Sequence, residues 1–350
     1  MIINNTYGHG GDIYKNEIEL DFSVNINPFG TPPEVVEAAA KAAADMAAYP
    51  DPYCGNLRDK LAEKTGADVQ HIICGNGAAE LIFQFVQALK PAKTLLPEPS
   101  FSEYESALDA AGCEIVHFRL LRENGFALQE DFPDRITEDI SLLMLCSPNN
   151  PTGVCIPEDL LLRILEKCRK TGTWLFLDEC FLDLSDAEKA ASLIPVMKEG
   201  DKAFVLKAFT KMYGMAGVRL GYGICKNTEM TDRMCGLIQP WNVSCVAQAA
   251  GIAALSLKDW PEKTRKVIAE EKAYLVEKLK ELRISVLPSD TNFLLLSGVP
   301  GLYEKLLEKK ILIRRCANYH GLDDGDCRIA VRTHAENERL IAALKEVMHA

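Results

Sequence analysis

With 350 residues, 48% of them hydrophobic and 25% charged, the chain can bury a large core and is long enough for about two domains. A net charge of -11 argues against nucleic acid or an anionic membrane as its partner. No apolar run approaches the roughly 18 residues of a membrane span, and the opening MIINNTYGHGGD lacks the cationic start and apolar stretch of a signal peptide, so a cytoplasmic protein is expected.

Residues 1–30 show no long periodicity; the glycines of HGGD and the Asn-Pro of DFSVNINPFG mark turns. From Pro33, EVVEAAAKAAADMAA reads as an alanine-rich helix with Thr31 as its cap, broken at Tyr49-Pro50-Asp51-Pro52. Residues 56–65 read as a helix ended by Gly66. Strands and helices then alternate. Apolar, strand-like runs lie at 71–74, 94–96, 114–118, 141–146, 174–177, 203–206 and 219–225, with helices at 78–89, 101–111 and 158–170. Continuous apolar strands between helices predict an α/β fold with a mostly parallel, seven-stranded sheet covered on both faces. Beyond Trp241 a long helical stretch runs through 259–282, its second part starting at Trp260-Pro261. Strands at 284–287, 292–296, 311–314 and 328–331, a helix near 302–310 and another from Ala335 predict a smaller α+β unit. The twelve cysteines are scattered and none forms C-x-x-C. They read as buried hydrophobes in a reducing compartment, not as disulfides or a metal site.

Ligands of open α/β sheets gather beyond the carboxyl ends of strands, and the unusual residues of this chain fall there. After the 71–74 run, Gly75-Asn76-Gly77-Ala78-Ala79-Glu80 leads into a helix whose free N–H groups suit a phosphate. Alone it is an ordinary strand–helix turn: Glu80 stands where a dinucleotide fingerprint needs its third glycine, and no G-x-x-x-x-G-K-[ST] occurs. After 94–96 come Phe101 and, one helical turn on, Tyr104; after 141–146 comes SPNNPTG with Asn150. Asp178 ends an apolar strand, where an unpaired carboxylate is costly to bury. A structural ion pair or a helix cap would equally account for it. LKAFTKMYGMAGVRLGYG, residues 206–223, sets Thr210 and Lys211 between a buried strand and a Gly/Ala-rich turn, with Arg219 following. A lysine so placed is poorly hydrated and its pKa falls; the neutral amine can form a Schiff base with a carbonyl. Taken alone, two cations flanking a loop are solvated surface charges.

The whole string resembles the lysine segment of the fold-type I pyridoxal-phosphate enzymes: hydroxyl residue, lysine, Gly/Ala-rich turn, Arg, then Gly-Tyr. The resemblance implies a large cofactor-binding domain at 49–245 and a small domain made of 246–350 with the 1–48 segment. It also implies roles around pyridoxal 5'-phosphate. Lys211 binds the aldehyde, while Thr210, Arg219, Gly77 and the Ala78 and Ala79 amides hold the phosphate. An aromatic stacks on the ring; Phe101 fits that position best and Tyr104 lies next to it. Asn150 meets the phenolic oxygen, and Asp178 faces the ring nitrogen and keeps it protonated. Two positions depart from the pattern: Phe181 stands where many relatives carry Tyr, and Ala208 where they often carry Ser or Thr, each implying one cofactor contact fewer.

HGGD, YPDPYCGNLR, ILIRRCANYHGL and CRIAVRTHAENERLIAAL are similar, along the whole chain, to the threonine-phosphate decarboxylases of cobalamin biosynthesis, with the histidinol-phosphate aminotransferases as next cousins. In that pattern His9, Gly10, Asn25, Asn150, Arg314 and Arg328 contact a small anionic amino-acid phosphate. Tyr49 reaches the cofactor phosphate of a neighbouring subunit, which implies a homodimer. Arginine is the preferred fork for carboxylate and phosphate, although any one Arg is ordinarily a surface ion pair. Two other classes stand beside this reading. A catalytically silent, cofactor-binding relative is opposed by the intact set of Lys211, Asp178, Asn150 and Arg219, and a nucleotide-binding α/β protein by the absent phosphate-loop fingerprints.

Overall fold

The computed structural model describes residues 9–186 and 188–349; residues 1–8, the start of the expected 1–48 segment, lie outside them. A two-residue strand, β1 (Leu20–Asp21), precedes two helices, α1 (Pro33–Ala43) and α2 (Gly55–Thr65). Helix α1 ends at Ala43, short of the expected 48, because residues 44–48 are exposed and helix propensity with no face to bury does not hold a last turn. Nor does Thr31 cap it. A cap oxygen sits on the residue just before the first turn, and Pro32 takes that place, so the Thr31 hydroxyl donates instead to Gly214 O at 2.8 Å. Gly66 ends α2 in the left-handed conformation, its N–H donating to Ala62 O.

The large sheet collects β2 (Ile72–Gly75), β3 (Lys93–Glu98), β4 (Glu114–Arg119), β5 (Leu142–Cys146), β6 (Trp174–Asp178), β7 (Ala203–Ala208) and β8 (Gly221–Ile224). Between them run α3 (Ala78–Leu89), α4 (Ser102–Ala110), α5 (Glu158–Thr171) and the single turn α6 (Phe209–Met212). The strand order is β2-β8-β7-β6-β5-β3-β4, parallel except for β8, which runs against both neighbours. Every residue of β5 and β6 is buried, as strands covered on both faces require. Along β5, Leu142 and Met144 join the core beneath α3 and α4, and Leu143 and Leu145 the core beneath α5, which is the two-residue period of a strand. Phe85 of α3 packs 5.1 Å from Phe176 and 5.0 Å from Phe204; truncating such a ring costs about 3–5 kcal/mol. Gly223 makes room for that cluster, since a Cβ there would sit inside the Phe204 ring. The expected strand 219–225 starts only at Gly221. Arg219 instead follows the turn Ala216–Val218 with φ +60°, which aims its side chain back over the sheet end.

Three helices follow: α7 (Thr228–Cys235), α8 (Cys245–Leu255) and α9 (Trp260–Glu281), the last with Pro261 in its first turn. The remainder comprises β9 (Ser285–Val286), β10 (Phe293–Ser297), α10 (Leu302–Glu308), β11 (Ile311–Leu312), β12 (Arg314–Arg315), β13 (Cys327–Ala330) and α11 (His334–His349). A four-stranded antiparallel sheet orders these as β12-β13-β10-β9. The single strand expected at 311–314 is therefore two. β11 pairs in parallel with β1, which is only two residues long, so the chain changes partner and β12 pairs with β13. That register sets Arg314 directly opposite Arg328. Among the described residues no helix is long and apolar enough to cross a membrane. All twelve cysteines are unpaired and most are buried.

Candidate active site

The carboxyl ends of the parallel strands open on a cleft of ≈ 610 Å³, open mouth included. Its walls bring together Ala78, Ala79, Phe101, Tyr104, Asn150, Asp178, Thr210, Lys211 and Arg219, which the sequence scatters over five strand ends. Ile82, Cys146, Cys180, Phe181 and Ala208 complete the lining, and of these only Phe181 and Ala208 stand out in the sequence.

Lys211 lies in α6, whose backbone is pinned by a residue the sequence reading passed over. The Asn27 N–H donates to Lys211 O at 3.0 Å, and its side-chain amide donates to Met212 O at 2.7 Å and Thr264 Oγ1 at 2.8 Å. The Lys211 amine stands 4.8 Å from the centre of the Phe181 ring. Burial lowers its pKa from 10.5 to about 8, and the Arg328 guanidinium pushes the same way. Lys207 is the opposite case. Burial works to lower its pKa too, but Asp183 at 2.9 Å and Glu179 at 3.6 Å outweigh that and hold it charged. Of the two lysines, only Lys211 gives up its proton close to neutral pH, near pH 8.

Asp178 is 6% exposed. The Cys180 N–H donates to its Oδ1 at 2.8 Å and the Tyr104 hydroxyl to its Oδ2 at 2.7 Å. Burial pushes the carboxyl pKa up, while those two donors and Lys211 pull it down. Among the described residues it has no ion pair, so a carboxylate with ordered donors but no cation of its own faces the cleft. The bond also separates the two candidate aromatics. Tyr104 is wholly buried and committed to Asp178; Phe101 is half-buried at the mouth of α4, edge-on to Tyr104 at 5.6 Å.

The anion cradle is built from close backbone approaches. Gly77 has φ +83° just before α3, and a Cβ there would collide with the Arg219 guanidinium, so that side chain lies across the start of the helix. A Cβ on Gly221 would come within 2.5 Å of Ala78 N. Glu80, the residue that spoils a dinucleotide fingerprint, accepts from Asn76 N–H at 2.6 Å and from the Asn242 amide at 2.7 Å, fixing the loop.

Arg314 and Arg328, each 6% exposed, lie outside the cleft lining, and Arg328 reaches it through Asn150. Arg328 donates to Asn150 Oδ1 and, at 2.9 Å, to Ser23 O, and its Nε has no partner. Arg314 donates to Arg315 O and to Asn318 Oδ1, with its guanidinium 5.1 Å over the Tyr319 ring. Neither has an ion pair among the described residues. Asn25, buried nearby in sequence to Ser23, has no partner for either end of its amide. Gly10 packs so closely on Ser23 that a Cβ would meet the Ser23 carbonyl oxygen, and His9 sits 3.0 Å from Glu103 with its ring 6.1 Å from Phe101. Tyr49 is not in this cleft: it is 77% exposed and stacked at 4.3 Å on Trp241.

Residues 17–344 match the family described as aminotransferase class I and II. The chain belongs to that family. Like other class I and II aminotransferases it is a pyridoxal 5'-phosphate enzyme of fold-type I, and the cleft fits the cofactor. An amine with a lowered pKa, an unpaired carboxylate and a helix start crossed by an arginine match its aldehyde, ring nitrogen and phosphate. A threonine-phosphate decarboxylase of Salmonella typhimurium is 38% identical over 97% of this chain and 96% of its own. The solved histidinol-phosphate aminotransferase of Clostridium acetobutylicum superposes with a TM-score of 0.87 at 29% identity, covering 94% of this chain and 99% of its own. The L-threonine-O-3-phosphate decarboxylase of Porphyromonas gingivalis gives 0.83 at 25%, covering 95% and 100%.

Proposed function

We propose that this class I and II aminotransferase-family enzyme decarboxylates O-phospho-L-threonine to aminopropanol phosphate. One observation carries the reading: Arg314 and Arg328, buried side by side, contact only neutral groups. A buried guanidinium left without an anion is costly, and an amino-acid phosphate brings two anions, a carboxylate and a phosphate. The unpaired amide of Asn25, two residues from the Ser23 that Arg328 binds, and the imidazole of His9 beside Phe101 add further polar groups.

Pyridoxal 5'-phosphate, when bound, supplies an electron sink conjugated to the substrate's Cα. Lys211 would hold it and then, released by the substrate amine, carry a proton to or from Cα. Asp178, oriented by Cys180 and Tyr104, would keep the ring nitrogen protonated. The Ala78 and Ala79 amides, Thr210 and Arg219 would hold the phosphate beside Gly77, Asn150 the phenolic oxygen, and Phe101 the ring face. Phe181 packs edge-on to Phe293 at 5.1 Å and walls the amine from water without a hydroxyl of its own. The grip of the arginines on the substrate's anions decides whether its carboxylate leaves or its Cα proton is taken. The β1–β11 pairing supports a division into 1–48 with 246–350 and 49–245. Exposed Tyr49 supports a homodimer in which it serves the neighbouring site, and the unpaired cysteines support a cytoplasmic setting.

The test is a product assay with holoenzyme and O-phospho-L-threonine. Carbon dioxide and aminopropanol phosphate in equal amounts are expected, with threonine used at least about a hundredfold less efficiently because it leaves one arginine unpaired. Rapid amino transfer to a phosphorylated keto compound, with no carbon dioxide, would overturn decarboxylation in favour of the histidinol-phosphate type of reaction.

A further inference from the structure

Away from the cofactor cleft, Glu105 of α4 and His117 of β4 converge with His320 of the loop after β12, which lies 215 positions from Glu105 in the sequence. We infer that these three side chains form a site for a divalent transition metal, zinc before others, which ties α4 to the loop that carries Asn318 and Tyr319.

The distances are those of a ligand set. His320 Nε2 lies 3.3 Å from Glu105 Oε2 and His117 Nε2 lies 3.6 Å from Glu105 Oε1, and the three ligand atoms all fall within 4.8 Å of one another. Ligands on one tetrahedral zinc, at bonds of about 2.0–2.2 Å, stand about 3.3–3.5 Å apart. The carboxylate and either imidazole are therefore at or near bonding separation already, and the two rings, 40% and 57% exposed, close on each other by side-chain rotation. Both histidines present Nε2 to the same carboxylate with ring centres 5.0 Å apart. Two imidazolium rings so close repel, whereas a metal takes both as neutral ligands.

The other nitrogen of His117 supports the same reading. Its Nδ1 faces Glu98 Oε1 at 3.9 Å, and that carboxylate is buried and fixed by the Ser100 N–H at 2.7 Å and the Ser100 hydroxyl at 3.0 Å. A ligating histidine ordinarily gives its second N–H to such a carboxylate, and a shift of about 1 Å makes that bond. Two imidazoles and one carboxylate, leaving a position for water, suit zinc and its first-row neighbours; magnesium and calcium prefer all-oxygen sets. Among the described residues this is the one cluster of its kind. Its place gives it a consequence. Asn318 accepts from Arg314 and Tyr319 lies beneath that guanidinium, so a metal on His320 steadies the partners of Arg314.

Chelator-treated, dialysed holoenzyme is titrated with zinc chloride by calorimetry, beside the double variant His117→Gln, His320→Gln. About one zinc per chain is expected for the parent, with binding at least about a hundredfold weaker in the variant. Zinc should also raise the melting temperature of the parent alone. If the double variant does not fold, His320→Gln, altered at an exposed position, replaces it and is expected to lose at least about tenfold in affinity. Equal binding by parent and variant, as at a stray cysteine, or binding by neither, overturns the site. Magnesium chloride in excess should leave the zinc titration unchanged; full competition would also overturn it.

Discussion

Lys211 is held at odds with its own charge. Burial strips water from the ammonium and Arg328 repels it, and the attraction of Cys180 and Asp178 does not make up for this, so the group with an ordinary pKa of 10.5 drops to about 8. The sign of the consequence follows by linkage. Below about pH 8 folded and unfolded chains both carry the proton, and the cofactor-free fold bears the whole penalty. Between about 8 and 10.5 only the unfolded chain keeps it, so stability rises with pH through that window. At about 1.4 kcal/mol per pH unit the penalty is on the order of 3 kcal/mol. Cofactor-free Lys211→Met should therefore be more stable than the cofactor-free parent at pH 7, by on the order of 3 kcal/mol in urea unfolding, with the gap narrowing as pH approaches 10.5. Equal stability at pH 7 would show that the amine is not desolvated. The residues of this site were legible to different degrees, for a physical reason. Lys211, Asn150, Asp178 and Arg219 could be read because chemistry at strand ends concentrates in short strings. The Tyr104 bond to Asp178 spans 74 positions and the Glu80 bond to Asn242 spans 162, and no local pattern encodes such pairs.

The elements that carry those residues meet at tolerances finer than sequence patterns express. Seven apolar runs suffice to read seven strands: six are buried along nearly their whole length, while β4, at the sheet edge, is largely exposed and was legible only from its apolar positions. Where an element begins depends on its neighbours instead: Arg219 leaves the strand expected to contain it, Pro32 displaces Thr31 as cap, and β1 is too short to hold 311–314 as one strand. The β8–α3 contact is a tight junction of this kind. A Cβ on Gly221 would meet Ala78 N at 2.5 Å, Ala78 Cα at 2.8 Å and Gly77 C at 2.9 Å, all backbone atoms that cannot rotate away. Gly221→Ala must push the start of α3 from the sheet, at about 1–3 kcal/mol for overpacking, and carry the Ala78 and Ala79 amides away from Arg219. The affinity of the cofactor-free enzyme for pyridoxal 5'-phosphate, followed by absorbance, should fall about tenfold or more. Gly66→Ala is the control. It strains a left-handed cap with open space around it and should lower stability by about 1 kcal/mol while leaving cofactor affinity unchanged. Equal losses of affinity in both variants would mean that general destabilisation, not the cradle, is being measured.

At the scale of the molecule the question is whether one chain makes a complete site. Tyr49 lies outside its own cleft, stacked on the exposed Trp241, and Met46 and Tyr53, close to it in sequence, are exposed large apolar groups too. An exposed aromatic patch of this kind is suited to a partner surface, and a symmetric dimer would carry each Tyr49 toward the other chain's cofactor phosphate. If Tyr49 donates to that phosphate, Tyr49→Phe removes a hydrogen bond to a charged group, about 1.5–3 kcal/mol, and activity falls about tenfold or more. Mixing decides between the two arrangements. Lys211→Ala chains are dead wherever they supply the lysine, but they still carry Tyr49. Combined by dissociation and reassociation with Tyr49→Phe chains, half of the dimers should be mixed, and in each of these one site has an intact Lys211 and the other chain's intact Tyr49. Activity should then rise to about a quarter of the parent's, above either variant alone. If Tyr49 instead acts within its own chain, every site in the mixture lacks one of the two residues, and mixing restores nothing. A flat result together with a monomer in sedimentation would remove the shared site, while leaving the cleft built by Lys211, Asp178 and Arg219 as it stands.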